Sequence, residues 1–503
     1  MSEPYFFDYM RKRGLFTLMI VFFYSTLSLC AQVRLTTLDS VPLLDSFTRI
    51  NKYIPGFDTT TQVQETNFLI SSLLVIGNKK TKSNIVLREV PFRAGHQFQL
   101  GELIDLFQLG EQQLMNTTLF HSARIFVSRF EGNCLEVTVE VVERWYLFPF
   151  PFFSLVDRNF NQWLVEQNAS LERVNYGFNV LYNNATGHND RMRLWLVNGY
   201  TSELSLAYER PYFDRKMQWG YRIAARTGKG REINYDTQND KQVFSRHDNF
   251  VRWFSNAGAE LIYRPKLYSR HTFGIYYYQE KVSDTITKLN PDYFGEARNT
   301  IRFPDIFYQF SYVKMDYQPY PTRGFATRLK VSKLGFSPTF NLWQLHWKTM
   351  SAWPIGLKSI LTAESYVGLK LPFHQPYINR RFLGYKDLSM RGFEYNVIDG
   401  VAGGYLLVQL AREIVRLNVP VPSFIRKRAT VTNIPFRIFA KVYSTTGAVY
   451  SPSTTNNYMQ NRFLQASGIG IDILSLYDVT FRIEYSFNNF GQNGLFLHRT
   501  SHF

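Results

Sequence analysis

From Tyr146 to Phe503 the chain is written in short runs in which apolar and polar residues alternate. Phe481, Ile483, Tyr485 and Phe487 interleave with Thr480, Arg482, Glu484, Ser486 and Asn488. In 361–371, Leu361, Ala363, Val367, Leu369 and Leu371 interleave with Thr362, Glu364, Gly368 and Lys370, and 218–226 repeats the pattern. Period two sends the two sets to opposite faces of a strand. A soluble sandwich alternates too, but here Arg, Lys and Glu recur on a single parity, opposite Leu, Ile and Phe. The runs fall at 146–156, 173–184, 190–199, 202–211, 217–226, 250–264, 271–282, 305–316, 323–334, 341–354, 358–371, 403–414, 435–446, 463–474, 478–488 and 494–503. About sixteen strands of this length predict a mainly β fold, a transmembrane antiparallel barrel over 146–503. Its final residue, Phe503, is an aromatic C-terminus of the kind such barrels carry.

The stretch before the barrel follows another rule. Phe68 to Ile76 is a β-rich run ended by Gly77-Asn78, and Ser83 begins a helix that stops at Pro91. Leu103, Leu106, Phe107, Gly110 and Leu114 form one helical face, and 123–130 and 135–142 read as strands. Strand, helix, helix, strand, strand predicts a small α/β domain over 66–145. Residues 32–65 read as a lead-in segment. Residues 1–31 carry Arg11, Lys12 and Arg13 before the apolar run Leu15–Leu29, and then Ala31. That is the layout of a cleaved signal peptide, with an uncleaved anchor as the alternative. No later stretch is long and apolar enough for a spanning helix, so a membrane location requires a closed barrel.

Composition sharpens the picture. Aromatic residues make up 17% of the 503, charged residues 19%, and the net charge is +17. Aromatic girdles and two-faced strands explain how such a chain keeps a mean hydropathy near neutral, at −0.22. Export argues against nucleic acid as the basic partner and leaves lipopolysaccharide and a polar lumen as candidates. Once the signal removes Cys30, Cys134 stands alone and is expected to pack as a small strand residue. There is no His-Glu-x-x-His, no Gly-x-Ser-x-Gly and no Cys-x-x-Cys, and 226–230 lacks phosphate-loop spacing. The nine His are scattered; His498 and His502 share a face of the last run, where packing is expected rather than a metal. No enzyme, cofactor or metal site is expected.

Three stretches carry a resemblance. The first is the 66–145 unit, with Gly77-Asn78 after a strand, Leu-Met-Asn-Thr-Thr-Leu-Phe at 114–120 and Leu-Glu-Val-Thr-Val-Glu-Val-Val-Glu at 135–143. The second is Tyr320-Pro321-Thr322-Arg323-Gly324. The third is Phe382-Leu383-Gly384 leading to Met390-Arg391-Gly392-Phe393, followed by Gly403-Gly404 and Glu413. In this order they resemble the BamA/TamA/FhaC-like superfamily of POTRA-containing outer-membrane barrels, the bacterial surface antigen family, with a single POTRA domain. The resemblance implies that Pro321, Thr322, Arg323 and Gly324 form the turn before a barrel strand. It also implies that Arg391, Gly392 and Phe393 belong to a loop that folds back into the lumen, with Arg391 docked on Glu413. The parity shared by Gln409 and Glu413 independently aims Glu413 inward. The family's second acid would fall at Thr445, where it is missing.

The first barrel strand reads Phe148-Pro149-Phe150-Pro151-Phe152-Phe153. Residues two apart direct their backbone groups to one neighbour, so Pro149 and Pro151 remove two ladder bonds on one side. If that side faces the last strand, where Phe503 lies, the closure is weak. Otherwise the prolines only break the chain before the barrel. The resemblance implies a machine that inserts or translocates unfolded polypeptide, with the POTRA domain in the periplasm of a Gram-negative cell. Outer-membrane or secreted clients, the bilayer and accessory periplasmic proteins are its expected partners. A two-partner-type secretion pore and, more remotely, a passive porin or surface receptor are the alternatives.

Overall fold

The structure, a computed structural model, describes residues 67–155, 174–338, 340–385, 388–420, 433–452, 457–475 and 480–500. The expected signal peptide at 1–31, the lead-in at 32–65 and the terminal Phe503 lie outside the described residues, as do the side chains of His498 and His502.

The chain opens with β1 (Asn67–Ile76), α1 (Ser83–Glu89), β2 (Gln97–Gln99), α2 (Leu100–Asn116), β3 (Phe120–Glu131) and β4 (Cys134–Glu143), in a sheet ordered β2-β1-β4-β3. The alternating Leu135, Val137, Val139 and Val141 of β4 are buried, as are Leu103, Phe107 and Leu114 of α2. Strand β2 is unforeseen because three residues, Gln-Phe-Gln, carry no readable period. Cys134 corrects an expectation: it opens β4 exposed, where the strand emerges from a turn, rather than packed. By contacts, 67–72, 94–107 and 126–137 form one compact unit, and 73–93, 108–125 and the chain from Thr138 onward form the other.

Sixteen strands then make one antiparallel sheet. They are β5 (Leu147–Leu155), β6 (Val174–Asn183), β7 (Arg191–Gly199), β8 (Thr201–Arg210), β9 (Trp219–Gly230), β12 (Arg252–Tyr263), β13 (Ser269–Val282), β14 (Thr300–Met315), β15 (Gly324–Ser337), β16 (Phe340–Ile355), β17 (Ser359–Leu371), β20 (Ala402–Pro420), β21 (Asn433–Tyr450), β22 (Phe463–Leu474), β23 (Thr480–Asn488) and β24 (Asn493–Thr500). Each pairs with its sequence neighbour in this series, from β5 at one end of the order to β24 at the other. Alternation decides the faces. On β23 the polar set from Thr480 to Asn488 is buried, while Phe481, Ile483, Tyr485 and Phe487 are exposed. An exposed apolar face of this kind is the lipid face of a membrane barrel.

All sixteen predicted runs correspond to strands, but β20 and β21 run well beyond theirs. The pairing slips between Glu413 and Val415. This bulge interrupts the alternation from which the strand end had been judged. A hairpin, β10 (Glu232–Gln238) with β11 (Lys241–Arg246), was also missed. Its signal was Asn239-Asp240, both at positive φ as a two-residue hairpin turn requires.

Helix α1 is fastened to turns of the barrel. Arg264, in the turn after β12, grips Glu89 with both carboxylate oxygens, Nη1 at 2.5 Å from Oε1 and Nη2 at 2.8 Å from Oε2. Tyr212, after β8, donates to Glu89 at 3.0 Å. Arg88 donates to the carbonyls of Met217 and Arg264, at 3.0 and 3.1 Å. Burial pushes the Glu89 carboxyl up, but the Arg264 and Arg88 guanidiniums and the Tyr212 hydroxyl outweigh it and hold it below the usual carboxylate range. Burial, then the Glu89 charge, pushes the Tyr212 phenol up to about 12, so it stays a donor at neutral pH.

Two predictions follow from these placements. Ile483→Arg, on the lipid face near the middle of β23, should cost about 2–4 kcal/mol in the unfolding of the vesicle-inserted protein. Glu89→Gln leaves a largely buried Arg264 without its counter-charge and should cost about 3 kcal/mol. Because the folded-state pKa of Glu89 is depressed, its contribution is whole above the unfolded carboxylate pKa and disappears as pH falls through the lowered value. Urea midpoints measured across that window should fall for the wild type and lose this component in Glu89→Gln.

Candidate functional site

The site is built from the chain between β17 and β20. That loop holds α3's successor in the chain: after α3 (Asp284–Leu289), between β13 and β14, come α4 (Tyr377–Arg380) and the short antiparallel pair β18 (Arg381–Leu383) and β19 (Ile398–Asp399). Rather than standing in solvent, the loop packs against the inner wall. Leu383, Met390, Phe393 and Ile398 are buried in one cluster with Tyr405, Tyr443 and Leu464. Burying side chains of this size stabilises by roughly 1.5–3 kcal/mol each. At the loop base, Lys370 of β17 donates to the carbonyls of Asn379 and Arg381, at 2.7 and 2.6 Å. At its far side, Val397 N–H donates to Asp240 O at 2.9 Å, on the tip of the β10–β11 hairpin. The Asp240 carboxylate also accepts N–H groups of Tyr458 and Met459.

Arg391 is the loop's charged anchor. It donates to Gln409 Oε1 at 2.7 Å, lies 3.2 Å from Glu484 Oε1 and rests over the Tyr443 ring at 5.2 Å. Gly392, at φ +84°, lies so close to Ala466 that a Cβ would collide with it, and its carbonyl accepts from Asn488 at 2.8 Å. The loop tip thus meets β20, β21, β22 and β23 at once.

Glu413 does not take the role expected of it. Its carboxylate faces inward but binds Arg437 at 2.6 Å and Arg416 at 2.6 Å. Four residues separate it from Gln409 along β20, about 13 Å at strand rise, so parity chose the right face at the wrong height. Thr445 is buried on β21 and supplies no charge. The acid that meets Arg391 comes from β23, where Arg482 and Glu484 already stood on the polar parity. No sequence signal tied them to a loop some ninety residues earlier.

Glu484 belongs to a buried network. Lys441 on β21 lies 2.5 Å from Glu484 and also pairs with Asp472 on β22. Arg482 Nε lies 3.6 Å from Asp472. Register explains the meeting: Lys441 and Glu484 both lie opposite Gly470, and a Cβ there would press on both side chains. A glycine in the middle strand lets the charges on its two neighbours touch across it.

The turn motif feeds the same network. Asp316 accepts the N–H groups of Thr322 and Arg323, at 2.9 and 3.0 Å, and pairs with the Thr322 hydroxyl. Gly324 takes φ +123°, in the region that favours glycine. The turn so formed, with Pro321 lining a small inner pocket, turns Tyr320 into the interior. There it stacks on Phe439 and donates to Asp472 at 3.0 Å. The two motif stretches, seventy residues apart in sequence, are therefore joined through Tyr320, Asp472, Lys441, Glu484 and Arg391.

Pro149 and Pro151 pair in register with Val180 and Phe178 on β6. Asn183 N–H donates to Tyr146 O at 2.8 Å, so the even-numbered residues of β5 face β6. The prolines are odd-numbered and direct their missing N–H groups away from β6, to the open side of the strand. Among the described residues β5 has no partner on that side.

A sixteen-stranded membrane barrel with a long loop packed against its inner wall, Arg391 at the loop tip meeting Gln409 and Glu484, is a distinctive class. The Omp85 superfamily domain matches residues 184–491, a span that contains the turn motif, the loop and the network. The chain belongs to the Omp85 superfamily, outer-membrane barrels of Gram-negative bacteria that assemble or translocate polypeptides. No curated protein matches it. Among solved structures it is similar to BamA from Haemophilus ducreyi lacking POTRA domains 1–3, at 12% identity, covering 86% of this chain and 83% of that one with a TM-score of 0.47. It is also similar to CdiB from Escherichia coli, at 10% identity, covering 91% and 94% with a TM-score of 0.43. CdiB from Acinetobacter baumannii matches at 12% identity, covering 86% and 73% with a TM-score of 0.44.

Glu484→Gln or Arg391→Met should each cost about 3–5 kcal/mol, because each strands a buried charge. Both should release the loop, read as faster proteolysis within 384–397 and a rise in single-channel conductance. Glu413→Ala should leave the loop in place and cost about 1 kcal/mol, since its partners are partly solvated.

Proposed function

We propose that this chain inserts unfolded outer-membrane polypeptides through a seam between β5 and β24, with the pinned loop keeping the lumen shut while the seam works. One observation carries the reading: both prolines of β5 aim their missing N–H groups at that seam. Each absent donor lowers the number of ladder bonds that opening must break, and each bond contributes a net of roughly 0.5–1.5 kcal/mol. A seam poor in bonds opens at little cost and leaves β5 able to pair with an incoming strand. Backbone pairing recognises any extended chain, so client choice is broad. None of this needs covalent chemistry.

The α/β unit serves the same end from the periplasm. Among the described residues its sheet ends in β3, whose edge offers a client a first strand to pair with. The arginine and tyrosine contacts on Glu89 hold α1 at the barrel end where β5 begins. Lipopolysaccharide and accessory periplasmic proteins are further partners in this reading.

Replacing Pro149 and Pro151 by Val should restore two donors and slow client insertion severalfold in proteoliposomes. Cysteine pairs that cross-link β5 to β24 should abolish insertion, with activity returning on reduction. Client insertion that survives both the valines and the cross-link would exclude the seam. Secretion that persists through a cross-linked seam would favour a pore that threads its client through the lumen. Depletion in cells, followed by a census of surface proteins, identifies the clients.

A further inference from the structure

Strands β20 and β21 do not stop where their neighbours do. On one flank β17 pairs with β20 only as far as Ser359 opposite Arg412. On the other, β22 pairs with β21 only as far as Leu474 opposite Arg437. The ladder between β20 and β21 goes on, from Leu417 opposite Phe436 to Pro420 opposite Asn433. These last pairs, about 13 Å of strand at the usual rise, form a two-stranded ribbon with no third strand among the described residues. In the antiparallel order β20 runs the same way as β8 and β12, whose turns hold α1, so the ribbon leaves the barrel at that end.

A lone two-stranded ribbon is marginal in water, and this one is apolar where water would meet it. Leu417 and Val419 are 49% and 43% exposed. They lie opposite Phe436 and Ile434, on the face of β21 that carries the exposed Val442 between buried Lys441 and Tyr443. That is the lipid face. Within the wall, β20 shows this face at even positions, Val408 and Leu410; on the ribbon it shows it at odd ones. The bulge between Glu413 and Val415 makes the change. Without that extra residue, Leu417 and Val419 would turn to the lumen side.

The neighbouring turn adds to the surface. Glu413 N–H donates to Lys358 O at 2.9 Å, which sets the β16–β17 turn against the base of the ribbon. Ile355 and Leu357 of that turn are exposed, Leu357 completely, and so is Ile414, the extra residue of the bulge. Lys358 and Arg412 are exposed at its border, where the phosphates of a bilayer would lie.

We propose that the ribbon and this turn rest on the phospholipid leaflet at the α1 end, with Leu357, Leu417 and Val419 in the boundary between headgroups and acyl chains. Lipid is the occupant because the apolar face runs on from the membrane-facing wall, held in phase by the bulge. A leaflet that meets the wall meets its extension. The inference needs only the membrane barrel and stands whether or not clients enter between β5 and β24.

The test uses the full chain in phospholipid nanodiscs, with Cys30→Ser and Cys134→Ser as background. Leu417→Cys, Leu357→Cys and Asn418→Cys are each labelled with the fluorophore NBD, and Val408→Cys marks the lipid face within the wall. NBD at 417 and 357 should emit to the blue of NBD at 418, on the other face of the ribbon. An apolar surface of this kind sits ~5–10 Å into the boundary, so nitroxide phospholipids should quench 417 at least roughly twofold more than 418. A nitroxide near the head of the acyl chain should act more strongly there than one near its end. Should Leu417→Cys fail to fold by heat-modifiable mobility, Leu357→Cys, in an open turn, carries the same comparison. Emission at 417 and 357 like that at 418 overturns the proposal. Blue-shifted emission that nitroxide lipids leave unquenched also overturns it, in favour of a protein cover.

Discussion

Hydrocarbon gives a backbone amide nothing to bond with, and that constraint shapes every other feature of the chain. It forces the strands from β5 to β24 into a single sheet, each paired with its neighbour. It then divides each strand into a face that meets lipid and a face that meets the interior. Polar and charged residues have only the interior to go to. Packed there away from water, they cost several kcal/mol each unless they find partners. The network of Lys441, Asp472, Arg482 and Glu484 is one answer to that demand, and the loop arginine Arg391 joins it from the interior side.

Tying a loop to the wall by charge rather than by apolar packing has consequences for control. Apolar contacts such as Phe393 and Met390 hold the loop without specifying one pose. Arg391 specifies it, because a buried guanidinium has few places where its donors are all met. The same network reaches Tyr320 in a turn near α2, where Asn116 bonds Met315 O and Gln318 N. The turn and the loop are thus joined by an unbroken series of side-chain contacts. The seam edge is built on the opposite principle. There, on the side of β5 turned away from β6, Pro149 and Pro151 remove donors rather than satisfy them.

The two charged regions of the interior differ in a way that matters. Around Arg391 cations and acids interleave closely, and the charges serve each other. Along β7 to β9 and β12 to β15 six cationic side chains stand with three carboxylates, which Arg264, Arg222 and Arg270 hold. Ion pairs of the first kind fix the pose of the loop.

Much of this was legible in the residue order alone. Period-two alternation with charge on one parity was enough for the sixteen strands, because each side chain's face follows from backbone geometry and not from distant contacts. The turn at 321–324 and the Arg391-Gly392-Phe393 tip were singled out by their resemblance to a known family, because a short motif keeps its residues together in the sequence whatever lies between. The partner of Arg391 was not. Glu413 lay on the right face, yet which acid stands level with the loop depends on strand tilt, register and the bulge near Val415, none of which is written in any one strand. Gly470 shows the point most clearly. In the sequence it is one glycine among thirty; only when β21, β22 and β23 lie side by side does it become the gap through which Lys441 reaches Glu484. Faces are a property of each strand, and heights a property of the assembled sheet.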